Sequence, residues 1–196
     1  MPKPRIAPLQ PPYQPETAAM LAKWMPPGAA IEPLVLFRTL AVHSELFARM
    51  RPLGAGILGH PRLDPRDREI PHPAHLRASR RGVRVGSACR TFGRPLGLTE
   101  QQIAATAAGQ ADDPAWSAAD AHLAAAADAL YDTDTIPDRL WEALAARLRD
   151  DQLIEAVIVV GWYRLLSCVI NATRIEPEPW AARFPRGAHN KVRLPV

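Results

Sequence analysis

Apolar residues return every three or four positions through most of the chain, the spacing that builds one face of a helix. The stretch 16–25 reads as a short helix stopped by Pro26-Pro27-Gly28. Pro33 suits a helix start, and an amphipathic helix is expected over 33–50. Leu36, Phe37, Leu40, Leu46, Phe47 and Met50 form its apolar stripe. A further turn or short helix is expected over 52–60, loosened by Gly54, Gly56 and Gly59. Asp64-Pro65-Arg66-Asp67 opens the next helix: Asp64 caps, Pro65 fits the first turn, and Asp67 can reach back. Thr99 and Gln102 have capping-box spacing and predict a helix to about 108, and Ser117 with Asp120 predicts another to about 131. Helices over 137–148, with Leu140, Trp141, Leu144 and Leu148 on one face, and over 152–171, capped by Asp150 or Asp151, complete the pattern.

One stretch breaks it. Neither helical nor strand periodicity survives over 72–91, and Pro71 and Pro73 fall where the helix begun at Asp64 should gather its apolar face. A proline inside a helix costs about 3 kcal/mol. No segment reads as a strand, so the fold class is all-α.

Composition supports one domain with tails. At 196 residues and 47% hydrophobic, the chain can bury a substantial core. Six prolines fall within 1–15 and four within 175–196, so 1–15 and 173–196 are expected to be extended arms around a helical domain at 16–172. The Pro-rich start lacks the apolar core of a signal peptide, which points to a cytoplasmic protein. The longest apolar run, 153–170, is interrupted by Glu155 and Arg164 and suits a buried helix better than a membrane span. The net charge of +4 is local: six arginines (77, 80, 81, 84, 90, 94) and no acid lie within 72–94, and without them the chain stands at −2. That distribution argues against a specific nucleic-acid surface.

Several phrases share an order and spacing with one family. They are FRTLAVH (37–43), LGAGILGH (53–60), LDPRDREI (63–70), GLTEQQIAAT (97–106), DDPAWS (112–117), VGWYRLLSCVIN (160–171) and EPEPWAARFP (176–185). Together they resemble the carboxymuconolactone decarboxylase family, related to alkylhydroperoxidase D, over nearly the whole chain except about 72–92. The resemblance implies an all-α, alkylhydroperoxidase D-like multi-helix bundle that assembles as a homo-oligomer, a trimer or hexamer. It also implies a motif helix that begins Arg-Glu and continues into a Cys/Glu/Trp/His site. In the peroxidase branch a glutamate, cysteine and histidine there make a thiol site. Glu69 matches the glutamate; the Cys/His part has no counterpart in register, so the motif helix is expected to be disrupted between Pro71 and Pro95.

The physical reading of that gap is a shifted reading frame. With G/C-rich codons, 72–78 can be CAT CCT GCG CAC CTG CGC GCG T. Read one base later, this gives Ile-Leu-Arg-Thr-Cys-Ala-Arg. Residues 83–85 shift in the same way to Cys-Glu-Trp, and 87–88 permit Arg-His. One extra base near Pro71 and one lost base between about Cys89 and Arg94 suffice, and Thr99-Glu100 then arrives without a gap.

Candidate chemistry follows from this. Glu69 is the candidate proton-relay acid, and Cys89 the candidate nucleophile of the chain as written, near the family site but out of its register. Cys168 is expected to pack as a small core hydrophobe. His72 and His75 have a helical metal-pair spacing, but Pro73 between them argues against a metal site, and no cofactor is expected. The function implied is a thiol peroxidase acting on a hydroperoxide, impaired in the chain as written, with decarboxylation of a lactone acid as a weaker variant. The alternative is a non-catalytic helical oligomer or anion-binding module.

Overall fold

The computed structural model describes residues 3–26, 28–29, 31–70, 94–108, 111–176 and 178. Among the described residues every regular element is helical. In chain order these are α1 (Pro15–Ala22), α2 (Val35–Leu40), α3 (Ser44–Gly59), α4 (Pro65–Glu69), a 3-10 turn (Arg94–Leu96), α5 (Glu100–Ala108), α6 (Ala118–Thr133), α7 (Asp138–Ala145) and α8 (Asp150–Thr173). The chain divides into two compact units, Met1–His60 with Cys168–Trp180, and Pro61–Ser167 with Ala181–Val196.

The first unit is built on an aromatic cluster. Phe47 is wholly buried and Leu21 and Ala41 nearly so, with Leu9, Tyr13, Met20, Trp24, Phe37 and Leu40 packed around them. Trp24 stacks on Phe47 with centroids 4.9 Å apart and planes at 10°. The single helix expected over 33–50 is two. Ala41, Val42 and His43 form a turn, and His43 caps α3 by accepting the Leu46 N–H on Nδ1 at 3.4 Å. The break re-aims the stripe, so Leu46, expected inside, is half-exposed. The segment expected as a separate piece over 52–60 instead continues α3, with Pro52 inside it.

The Pro-rich start is laid against this unit. Leu9 N–H donates to the Arg38 carbonyl at 3.2 Å, and the buried Arg38 guanidinium donates to the Leu9 carbonyl, to Gln10 Oε1 and to the Pro33 carbonyl. Arg5 donates from its backbone to the Thr173 carbonyl and from Nη1 to the Ala172 carbonyl. It thereby satisfies two of the orphan carbonyls at the end of α8 with a cation, as the helix dipole favours. Glu178 Oε1 accepts the Val35 N–H at 3.0 Å and serves the opposite end of the dipole, the start of α2.

The second unit packs Leu63, Ile70, Leu98, Ile103, Leu123, Leu144, Leu148 and Leu153 into one core. Alanines at 124, 126 and 127 are buried on α6, where small side chains leave room for close neighbours. Both expected capping boxes form. Thr99 Oγ1 accepts the Gln102 N–H while Gln102 Oε1 accepts the Thr99 N–H, and Ser117 and Asp120 do the same for α6.

The last helix, α8, is long and apolar enough to cross a membrane by length and composition alone. Val159, Val160 and Trp162 are nonetheless buried in the protein. Cys168, expected in the core, is exposed. Its neighbour Ser167 is buried instead, because successive residues on a helix point about 100° apart.

Candidate functional site

The site is built on α4, a helix of five residues that could not hold its shape alone. Four carboxylates from three parts of the chain and from α4 itself fix it. Glu155 Oε2, from α8, accepts the backbone N–H groups of Arg62 and Leu63 just ahead of α4. Asp64 caps the helix by accepting the Arg66 N–H at 2.9 Å. The Arg66 guanidinium grips Asp120, at the start of α6, through two parallel bonds of 2.7 and 2.8 Å. Asp67 accepts from Arg147, just after α7, at 2.8 Å. The expected reach of Asp67 back to its own helix start is thus replaced by a contact across 80 residues.

The electrostatics of this frame are set by the Arg66–Asp120 pair. Asp120 is 2% exposed. The Arg66 guanidinium holds its carboxyl below the ordinary carboxylate range, aided by the Ser117 cap and opposed by burial. The same bond raises Arg66, against a smaller desolvation penalty. A fork-to-fork guanidinium–carboxylate contact fixes direction as well as distance, so α4 cannot rotate without breaking it.

Glu69 closes α4 and is 7% exposed, next to the 1% exposed Ile70. A carboxylate carried by a pinned helix and withdrawn from bulk water can pass a proton to a reacting group without reorganising first. Cys89, with His72, His75 and the arginines from 77 to 90, lies outside the described residues. Of the six arginines only Arg94 is described. It is exposed, and Glu100 holds it as an ion pair that raises its pKa. Among the described residues no group of three His, Cys, Asp or Glu side chains could hold a metal. An apolar recess between α6, α7 and α8, lined by Leu123, Ala127, Leu130, Trp141 and Val160, carries no titratable group.

The architecture has a solved counterpart. A protein of unknown function from Agrobacterium tumefaciens, provisionally an AhpD antioxidant-defence protein, superposes with a TM-score of 0.57. The two are 16% identical over 71% of this chain and 95% of that one. The fold is AhpD-like. No protein-family model matches the chain, and no curated protein matches it. Identity this low establishes the architecture and leaves the chemistry to the residues of the AhpD-like frame itself.

Two features of the frame escaped the sequence. Asp120 was legible as a capping residue, since Ser-x-x-Asp is a local signal. Its pairing with Arg66, 54 residues away, has no local signature. Glu155, read only as an interruption of an apolar run, proves to anchor the entry to α4.

Proposed function

We propose that this chain descends from a thiol peroxidase of the carboxymuconolactone decarboxylase family, and that a shifted frame over about 72–92 has removed its cysteine and histidine. The observation that carries the reading is the placement of Glu69. It sits buried at the end of a pinned helix in an AhpD-like fold, and the resemblance of the sequence matches it to the family's site glutamate. In that reading a thiolate attacks the distal oxygen of a hydroperoxide. The O–O bond breaks, the alkoxide leaves as the alcohol with a proton relayed through Glu69, and the sulfur becomes a sulfenic acid. A thiol then condenses with it to give a disulfide and water, and a second thiol restores the cysteine.

The test uses two genes. One is the chain as written; the other lacks one base near codon 71 and regains one between codons 89 and 94. Hydroperoxide consumption with a dithiol donor is expected from the restored protein and not from the written one. Glu69→Gln in the restored protein should lower the rate by about 100-fold, the upper range for loss of a general acid–base group being larger still. A folded restored protein that consumes no hydroperoxide with any thiol donor overturns the peroxidase reading. Clean sequencing reads showing an unbroken frame across codons 68–98, with peptides of the written sequence found in the cell, make 72–92 genuine and overturn the frame reading.

A further inference from the structure

Residues 3–14 form no helix or strand, yet they are held on the first unit the way a bound peptide is held. Residue 38 grips both backbone groups of Leu9. Its carbonyl accepts the Leu9 N–H at 3.2 Å, and its guanidinium Nη1 donates to the Leu9 carbonyl at 3.2 Å. The Leu9 side chain packs on the cluster of Leu21, Ala41 and Phe47, and Tyr13 packs on the same cluster four residues on. Trp24 and Phe37 complete that aromatic seat. Ile6 between the anchors is 42% exposed, and Pro11 and Pro12 are exposed. Prolines at 4, 8, 11 and 12 hold the segment extended and reduce the N–H groups it must satisfy. Main-chain bonds, an apolar side chain on aromatic rings and a proline-stiffened backbone are the elements by which extended peptides are recognised.

Arg38 is the second observation. Its side chain is 11% exposed, and Glu32, at 3.7 Å, is itself 58% exposed. The shorter bonds of this buried cation run to neutral oxygens: the Leu9 carbonyl, Gln10 Oε1 at 3.1 Å and the Pro33 carbonyl at 3.0 Å. A guanidinium presented to main-chain carbonyls responds to an extended segment more than to one sequence. The fit of residues 3–14 is also incomplete. Trp24 Nε1 and the Tyr13 hydroxyl are buried with no hydrogen-bond partner among the described residues. A segment that brings an acceptor to Trp24 Nε1 therefore suits this seat better than the one now on it.

We infer that Arg38 and the Trp24–Phe37–Phe47 cluster form a binding site for an extended, proline-flanked leucine segment of a partner protein, which residues 3–14 occupy in cis as an exchangeable strap. Tethering holds the strap at an effective concentration on the order of 1 mM. A strap of modest intrinsic affinity therefore stays docked, and a tighter segment displaces it. While docked, the strap stabilises the unit as any ligand of a native state does. This inference is independent of the proposed function.

The test uses full-length chains and a fluorescently labelled peptide of residues 3–14, with binding read by anisotropy. The wild-type chain should bind the peptide weakly, because its own strap competes. Leu9→Ala in the chain loosens that strap and should tighten peptide binding about tenfold; Arg5→Ala should act in the same direction. A peptide carrying Leu9→Ala should bind the Leu9→Ala chain about tenfold more weakly than the wild-type peptide does. Arg38→Lys keeps the charge but loses the planar fork, and added to the Leu9→Ala chain it should abolish binding. A Leu9→Ala chain that binds the peptide no more tightly than wild type overturns the exchange, and makes residues 3–14 an integral part of the unit. Equal binding of a scrambled peptide, which marks adhesion of its Lys3 and Arg5 charges alone, overturns the site. So does undiminished binding by the chain carrying both Leu9→Ala and Arg38→Lys.

Discussion

At the scale of single residues, the Arg66–Asp120 pair makes the sharpest prediction. Arg66→Ala leaves Asp120 buried without its guanidinium and should cost about 2 kcal/mol near pH 7, the range for a lost charge-assisted bond. Asp120 has its pKa lowered in the folded protein. Its contribution is therefore present above the unfolded carboxyl pKa of about 3.9 and is lost as pH falls through the lower folded value. The stability gap between wild type and Arg66→Ala, measured as urea midpoints, should narrow as pH drops below about 4. A gap constant from pH 7 to pH 2.5 would show that the pair does not titrate with folding. A second residue reports on backbone strain. Arg174 takes φ +56 at the end of α8, and the Ile175 N–H donates back to the Ile170 carbonyl at 3.0 Å, a closing geometry that favours glycine. Arg174→Gly should raise stability by about 1 kcal/mol in thermal melts.

At the scale of elements, the N-terminal arm is structural. Deleting residues 2–12 removes two acceptors from the buried Arg38 guanidinium and uncovers the cluster under Leu9. A loss of about 3 kcal/mol is expected, from a buried guanidinium stripped of two of its acceptors and one lost apolar side chain. Near-UV circular dichroism should register it, because Trp24 stacks within that cluster. Adding Arg38→Met to the truncated chain should recover part of the loss, since the under-bonded buried guanidinium is then gone. Elements with local start signals were legible in the sequence: Asp64, Thr99 with Gln102, and Ser117 with Asp120 all cap as their spacing predicts. The break between α2 and α3 was not, because apolar periodicity runs through it and only the burial of Phe47 against Trp24 reveals the change of direction. Nor was the side of α8 that lies against the core, since apolar residues stand on most faces of that helix.

At the scale of the molecule, the all-α class was readable from the capped, periodic segments on either side of 72–92, and the AhpD-like architecture only from the resemblance of the phrases there. Of the candidate site, Glu69 could be found from its phrase; the ties that pin its helix could not, because Asp120, Arg147 and Glu155 each reach it across more than 50 residues. One further consequence lies in the makeup of the first unit. It joins Met1–His60 to Cys168–Trp180, two segments far apart in the chain. During synthesis its first sixty residues must therefore wait for the last helix to leave the ribosome before Arg5 and Val35 find their partners on Ala172, Thr173 and Glu178. A single uncorrected frame change in the middle of the gene would abolish that closure and leave a correctly translated N-terminal third exposed to proteases. A second, compensating change is what lets such a message still yield a closed first unit.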